Sequence, residues 1–436
     1  MDGAGSLIDQ YYSAVGGHLH VGGIAINEIA EQYGTPLFVY DAGVIEKKWS
    51  LLRKTFPDHF SIYYSVKANP HPVFLRYFVG KSSGLEVASK GELLAALHAG
   101  CPPKSILFAG PGKTESELEF AISSEIGEIH AESRVELERI QAISHRLGTR
   151  TAVAIRINPK EESRGGAMQM GGKPAPFGMD EELLDGVVDH VLRLPAVDFR
   201  GIHLFAGTQI LGYETLIRQY RHGIGIARRL AAHLGHPLRT LDFGGGLGIP
   251  YFSHEQELDM KKLGASLEEL TNEVSSDNGL KGTRFIIEPG RYLVGEAGIY
   301  LTRINDIKVS RGKKFLIVDG GMHHHLAASG NLGQTIKRNF PCAVVNRLSD
   351  SSSETVDVVG PLCTPLDTLA RGVNLPAGRI GDLVGIFQSG AYARSASPLG
   401  FLSHPTPAEV WVDEEKASVI RPRGRYEAYV GDEGVR

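Results

Sequence analysis

The chain has 436 residues, 42% of them hydrophobic and 22% charged, with a formal net charge of -4. This is ordinary globular composition at a length that calls for two domains, and the charge gives no electrostatic case for nucleic acid or an anionic membrane. No apolar run is long enough to cross a bilayer, the N-terminus does not read as a signal peptide, and three scattered cysteines (Cys101, Cys342, Cys363) make neither a disulfide framework nor a metal site, so a reducing cytoplasm is expected.

In chain order, a short β-run at Ile24–Ile26 comes first. Eight strand-like segments follow: Ile62–Val66, Gly84–Val87, Ser105–Phe108, Ile126–His130, Thr151–Ile157, Phe199–Phe205, Thr240–Phe243 and Arg284–Ile287. They are rich in Val, Ile, Leu and Phe and are separated by helical patterns such as Gly91–His98, Thr114–Ser123 and Glu214–Leu234. Eight such alternations predict an α/β fold with a closed parallel (β/α)8 barrel. Beyond Arg291 the strands Ile299–Val309, Lys314–Val318, Thr355–Val359, Asp382–Phe387 and Glu409–Val412 lack intervening helices. They predict a C-terminal antiparallel β domain. The expected division is a barrel over 41–290 and a β domain built from 1–40 and 291–436.

Polar and glycine residues collect just after the barrel strands, where active sites of such barrels lie. Lys67 ends the first strand, and a buried amine there would lose charge and become nucleophilic. Gly244-Gly245-Gly246 follows the seventh strand and offers backbone N–H groups to an anion, with a helix start expected next. Glu288 follows the eighth and could keep a pyridinium protonated. An amine, an anion cradle and such a carboxylate are what a pyridoxal phosphate site requires. Each has a plain structural alternative: a snorkelling lysine, close strand–helix contact, and an ion pair with Arg291. The polar loop Lys160–Asp180 reads as a lid, a specificity loop or a mobile segment. His323-His324-His325 could suggest a metal, but neighbours on a strand face alternately, so no metal is expected.

The motifs YYSVKAN (63–69), GLEVASKGEL (84–93), GIHLFAGTQ (201–209), DFGGGLG (242–248), EPGR (288–291), GPLC (360–363) and SGAY (389–392) occur in one order over nearly the whole chain. Together they resemble the fold-type III pyridoxal phosphate-dependent decarboxylases, the group of the diaminopimelate, ornithine and arginine decarboxylases. The resemblance implies an alanine racemase-like barrel with a β domain. It makes Lys67 the cofactor lysine and Glu288 the partner of the pyridine nitrogen. Gly244, Gly245, Gly246, Gly290, Arg291, Thr208 and Tyr392 become phosphate ligands, and Arg156 lies near the ring. It further implies that Cys363 acts across a subunit boundary in reprotonation, and hence a homodimer with shared sites.

The departures bear on substrate. Phe205 stands where the family stacks a histidine on the ring, leaving His203 as the motif's first, structural histidine. Thr364 follows the cysteine where decarboxylases of diamino substrates carry an acid that binds the distal ammonium, and without it that ammonium would be heavily penalised. The segment Gly321–His325, with His324 as a candidate substrate contact, replaces an arginine–tyrosine segment that grips a distal carboxylate, and Arg338 is the candidate substitute. With MGGKPAPFGMD (170–180) and GPLCTP (360–365), this is closest to a subgroup acting on glutamyl groups tethered to an acyl carrier protein. A tethered amino acid, whose distal end is an amide or thioester, suits the missing acid. The rivals are a diaminopimelate decarboxylase, a racemase on the same cofactor, and a non-catalytic regulatory homologue. The GGGLG, EPGR and GPLC set argues against the racemase, and intact Lys67, Glu288 and Cys363 argue against the regulatory homologue.

Overall fold

The computed structural model describes residues 3–160, 174–205, 207–252, 254–332, 334 and 337–429, with the backbone of 168–169. The chain divides into two compact units, Ser50–Ile249 with Glu257–Gly290, and Met1–Trp49 with Pro250–Gln256 and Arg291–Arg436. The second therefore takes in Asp41–Trp49 and Pro250–Gln256 besides the expected segments.

The first unit is a closed barrel of eight parallel strands. They are β1 Phe60–Ser65, β2 Gly84–Val87, β3 Ile106–Phe108, β4 Glu128–Ala131, β5 Thr151–Asn158, β6 Val197–Leu204, β7 Thr240–Asp242 and β8 Arg284–Ile287. Each pairs in parallel with the next and β8 pairs with β1, which closes the ring. The strands are apolar because both faces of a barrel strand are covered, and Tyr63, Leu107 and Ile286 meet in one buried cluster. Three outer helices start from one local device. Ser89, Thr114 and Ser133 each accept an N–H three residues on, from Glu92, Glu117 and Glu136, and Thr114 with Glu117 completes a capping box. The helix Tyr213–Leu234 ends on Gly235 in the left-handed conformation.

The second unit is a mixed sheet. Its order is Thr368–Pro376, Ser353–Val359, Lys313–Val318, Gly298–Ser310, Leu37–Asp41, Ala408–Asp413, Lys416–Arg421, with Leu383–Ile386 and Cys342–Val344 paired beside Gly298–Ser310. Most pairings are antiparallel, but Leu37–Asp41 runs parallel to Ala408–Asp413, and Lys313–Val318 parallel to Ser353–Val359. The N-terminal strand Leu37–Asp41 is thus an interior strand of a sheet made mostly of late residues. Its Leu37 and Val39 share a core with Ile299, Leu301, Val410 and Val412. The early β-run forms Ile24–Ala25, third strand of a small antiparallel sheet with Ser13–Val15 and His18–Val21.

Much of Lys160–Asp180, including Glu161 and Glu162, lies outside the described residues. Its described parts are Met168–Gln169, antiparallel to Gly207–Thr208, and Met179–Asp180, parallel to the end of β5. Among the described residues no helix is long and apolar enough to cross a membrane.

Candidate active site

Lys67 sits one turn beyond β1, in the short 3-10 helix Val66–Ala68. Its side chain is 43% exposed, not buried, so the expectation of an amine discharged by burial is corrected. An ion pair replaces it. The ammonium lies 2.9 and 3.1 Å from the two carboxylate oxygens of Glu86, whose side chain on β2 is buried. The Ser65 hydroxyl donates to the same carboxylate at 2.6 Å. A strand-end amine is thus oriented by a fixed charge beneath it.

Glu288, directly after β8, is 4% exposed. One oxygen faces His203 Nε2 at 3.4 Å and the other His130 Nδ1 at 3.9 Å. Burial raises its carboxyl, but His203, His130 and Lys67 outweigh burial and hold it well below the usual carboxylate range. Burial pushes His203 down to about 4, against the opposing pull of the Glu288 carboxylate.

The glycine run after β7 makes close backbone approaches. Gly244 is left-handed at φ 68°, where a Cβ would meet the Leu204 carbonyl oxygen at 2.6 Å. At Gly245 a Cβ would come within 2.5 Å of the Glu288 carbonyl oxygen. Asp242 accepts the Gly244 N–H at 2.7 Å. Among the described residues, the N–H groups of Gly245, Gly246 and Gly290 have no acceptor. Among the described residues no helix follows the glycines directly; an isolated bridge joins Leu247 to Ile210, and a helix begins at Met260, capped by Asp259. Any anion cradle here is made of loop N–H groups alone. Thr208, half-buried, pairs with Met168 through the backbone.

Arg156 ends β5 and donates to Glu132 at 2.7 Å, with its guanidinium 5.2 Å from the Phe177 ring and 5.9 Å from the Phe205 ring. Glu132 also accepts the N–H groups of Gly110 and Gly178. Burial raises its carboxyl, while Arg156, Lys113 and the Gly110 N–H more than offset this and keep it ionised.

The other candidates belong to the β unit. Arg291 donates to the Tyr251 hydroxyl at 2.8 Å, and its guanidinium lies 4.7 Å from the Tyr392 ring. Tyr392 is left-handed at φ 53°, a strained setting for a bulky residue. Cys363 is exposed. The Thr364 hydroxyl accepts the Leu366 N–H at 3.3 Å. The carboxylate of Asp367, close by, is fully engaged, taking the Met322 N–H at 2.6 Å and the Leu362 N–H at 2.9 Å. Arg338 donates to His254 Nε2 at 2.8 Å and covers Phe252.

His323–His325 form a turn, not a strand, and all three are buried, so the alternation argument does not apply to them. His324 lies between the Tyr300 hydroxyl (3.0 Å) and the Pro405 carbonyl (3.1 Å), and His325 against Ser389 Oγ (2.9 Å). With both ring nitrogens occupied, His324 has none to offer a substrate in this arrangement.

Sequence reasoning passed over Glu86, His130, Asp242 and Asp367. Their signal was present as charged groups inside or at the ends of apolar strands, where a charge must have a partner.

The amine, the unpaired loop donors and the ionised buried carboxylate of the barrel fit pyridoxal phosphate in its three functional parts. The pyridoxal-binding domain of the pyridoxal-dependent decarboxylases matches residues 42–295, and the chain belongs to that family. It is 40% identical over 402 residues (92% of this chain, 94% of the relative) to the L-glutamyl-[BtrI acyl-carrier protein] decarboxylase of Niallia circulans. It is 32% identical over 418 residues (95% of each) to the diaminopimelate decarboxylase of Aquifex aeolicus. The crystal structure of M. jannaschii diaminopimelate decarboxylase with L-lysine superposes with a TM-score of 0.89 at 26% identity, covering 98% of both chains. The protein is a pyridoxal phosphate-dependent amino-acid decarboxylase.

Proposed function

We propose that the chain removes the α-carboxylate of an amino acid whose distal end is conjugated, such as a glutamyl group on a carrier-protein arm. The observation that carries this is the loop 360–366, which has no charged side chain. Thr364 offers a hydroxyl where a charge would be needed, and Asp367 is tied to two backbone N–H groups. A distal ammonium bound there would lose its carboxylate partner, whereas an amide or thioester needs none. The likeness to the carrier-protein decarboxylase supports the same reading.

In this proposal Lys67 holds the cofactor, Gly244, Gly245, Gly246, Gly290, Thr208, Arg291 and Tyr392 bind its phosphate, and Phe205 and Arg156 flank the ring. Pyridoxal phosphate, when bound, supplies an electron sink for the bond that loses carbon dioxide. Glu288 keeps a proton at the pyridine nitrogen. Cys363 of a second subunit delivers a proton to the α-carbon, which makes the enzyme a shared-site homodimer. A cytoplasmic setting suits its free cysteines. Diaminopimelate decarboxylase is the second reading, favoured by the relative of that name.

The test compares kcat/KM for diaminopimelate, lysine, ornithine and carrier-bound glutamate on one preparation, with loss of carbon dioxide read by mass. The conjugated substrate is expected to lead. Faster turnover of free diaminopimelate overturns the proposal in favour of the second reading.

A further inference from the structure

Inside the barrel, five buried ionisable side chains lie together where an apolar filling is the rule: Glu128 and His130 on β4, His203 on β6, Asp242 on β7 and Glu288 after β8. None is more than 4% exposed. They form a connected chain. Glu128 accepts the Thr240 hydroxyl at 2.9 Å with one oxygen and faces His130 Nε2 at 3.3 Å with the other. The opposite nitrogen of His130 faces Glu288, whose second oxygen faces His203. Asp242 lies 3.8 Å from His130 Nε2, and the two imidazole rings are 4.3 Å apart.

We propose that His130 and His203 are positioning residues that hold the Glu288 carboxylate from both oxygens and keep it ionised, with Glu128 and Asp242 orienting His130 from behind. This rests on Glu288 being the partner of the pyridine nitrogen. Three carboxylates cannot all be charged in so small a dry space, and the one nearest a cation retains the charge. The two rings and Lys67 lower the Glu288 carboxyl, whereas burial and the charge of Glu288 itself push the Asp242 carboxyl well up. The arrangement thereby assigns the negative charge to the carboxylate that needs it. The same His130, His203, Asp242 and Glu288 atoms lie within 4.8 Å of one another and could ligate a metal ion. His130 turns one nitrogen toward Glu128 and the other toward Glu288, an arrangement a metal-ligating histidine also shows, so metal content is one of the outcomes tested.

The test uses the full chain, stripped of cofactor and titrated with pyridoxal phosphate. Variants are His203→Leu, His203→Gln, His130→Leu and Glu128→Gln, with thermal melting as the folding control. Each Leu variant is expected to weaken cofactor binding by about 10- to 100-fold, the effect of removing a polar neighbour from a buried carboxylate, and to move the pH at which the bound cofactor's absorbance changes. His203→Gln keeps an N–H donor and should recover most of both. Glu128→Gln changes a carboxylate in contact with His130 and Thr240, so a purely structural role would leave the absorbance transition in place; a shift is expected. Should the Leu variants not fold, an unshifted Glu128→Gln protein overturns the inference. Folded Leu variants with wild-type affinity and spectrum overturn it as well. So does a stoichiometric metal ion in the purified wild type that is lost in His130→Leu. Wild-type protein that binds no pyridoxal phosphate overturns the reading of the site and this inference together; normal binding with unaltered variants overturns the inference alone.

Discussion

The Lys67 amine shows how one contact changes the chemistry assigned to a residue. A buried lysine would become a nucleophile by losing its charge, but Lys67 is partly exposed and held by Glu86, so its position is what is fixed. Borohydride treatment of the cofactor-loaded protein should therefore fix pyridoxal on the peptide bearing Lys67, and Lys67→Ala should yield no labelled peptide. Label on another lysine would sink the assignment. Only the Lys67 end of the pair meets solvent, whereas Glu86 and its Ser65 partner are buried, so Glu86→Gln should lower stability by roughly 1–3 kcal/mol. The same variant should slow cofactor attachment several-fold, since the amine loses its anchor. An unchanged attachment rate would remove Glu86 from the site.

At the scale of the element, the loop 360–367 and the turn 321–325 are joined by Asp367. Asp367→Ala leaves the Met322 and Leu362 N–H groups without their acceptor, at roughly 1–3 kcal/mol each. The expected outcome is a lower unfolding midpoint together with lower activity, because Cys363 sits on the loop so released. The turn itself predicts acid sensitivity. Burial lowers His323 to about 4, His324 to about 2 and His325 to about 3. Above about pH 6.5, the unfolded value, the folded and unfolded chains are both neutral at these rings and the full stability is present. As pH falls toward 4 the unfolded chain takes up protons that the folded one refuses. Stability then drops by up to about 1.4 kcal/mol per pH unit for each histidine. The His323 contribution levels off below about pH 4, its folded value. Neither His323 nitrogen has a hydrogen-bond partner among the described residues, and its ring centroid lies 3.7 Å from that of His324 at a 43° tilt. His323→Phe keeps a ring there and should reduce the slope by one proton in urea unfolding at pH 7, 6 and 5. An unchanged slope would falsify the assignment of neutral, buried histidines.

At the scale of the whole molecule, the proposed shared site is tested by mixing subunits. Cys363→Ala and Lys67→Ala dimers should each be nearly inactive. After exchange, about half the dimers are hybrids with one intact site of two, so about a quarter of wild-type activity should return. No recovery, with exchange confirmed by mass, would count against the shared site.

How much of this was legible without coordinates follows from the range of the interactions involved. The eight barrel strands, Lys67 and Glu288 at strand ends, and the three helix starts at Ser89, Thr114 and Ser133 are written locally, as apolar runs, glycine stops and capping residues a few positions apart. Leu37–Asp41 could not be placed the same way, because its partners Gly298–Ser310 and Ala408–Asp413 lie hundreds of residues later, and its parallel pairing with the latter has no local signature. Nor could the roles of Glu86, Asp242 and Asp367 be read. A carboxylate in a strand or loop announces that it needs a partner, but which amine, imidazole or backbone N–H supplies it is decided only when distant strands close into a ring or a sheet. The sequence by itself determined the barrel and the cofactor class, since periodicity and strand-end chemistry are short-range. The tertiary structure alone decided the protonation and orientation of the groups around Lys67 and Glu288, because electrostatics in a dry interior depends on every charge within a few ångströms, whatever its place in the chain.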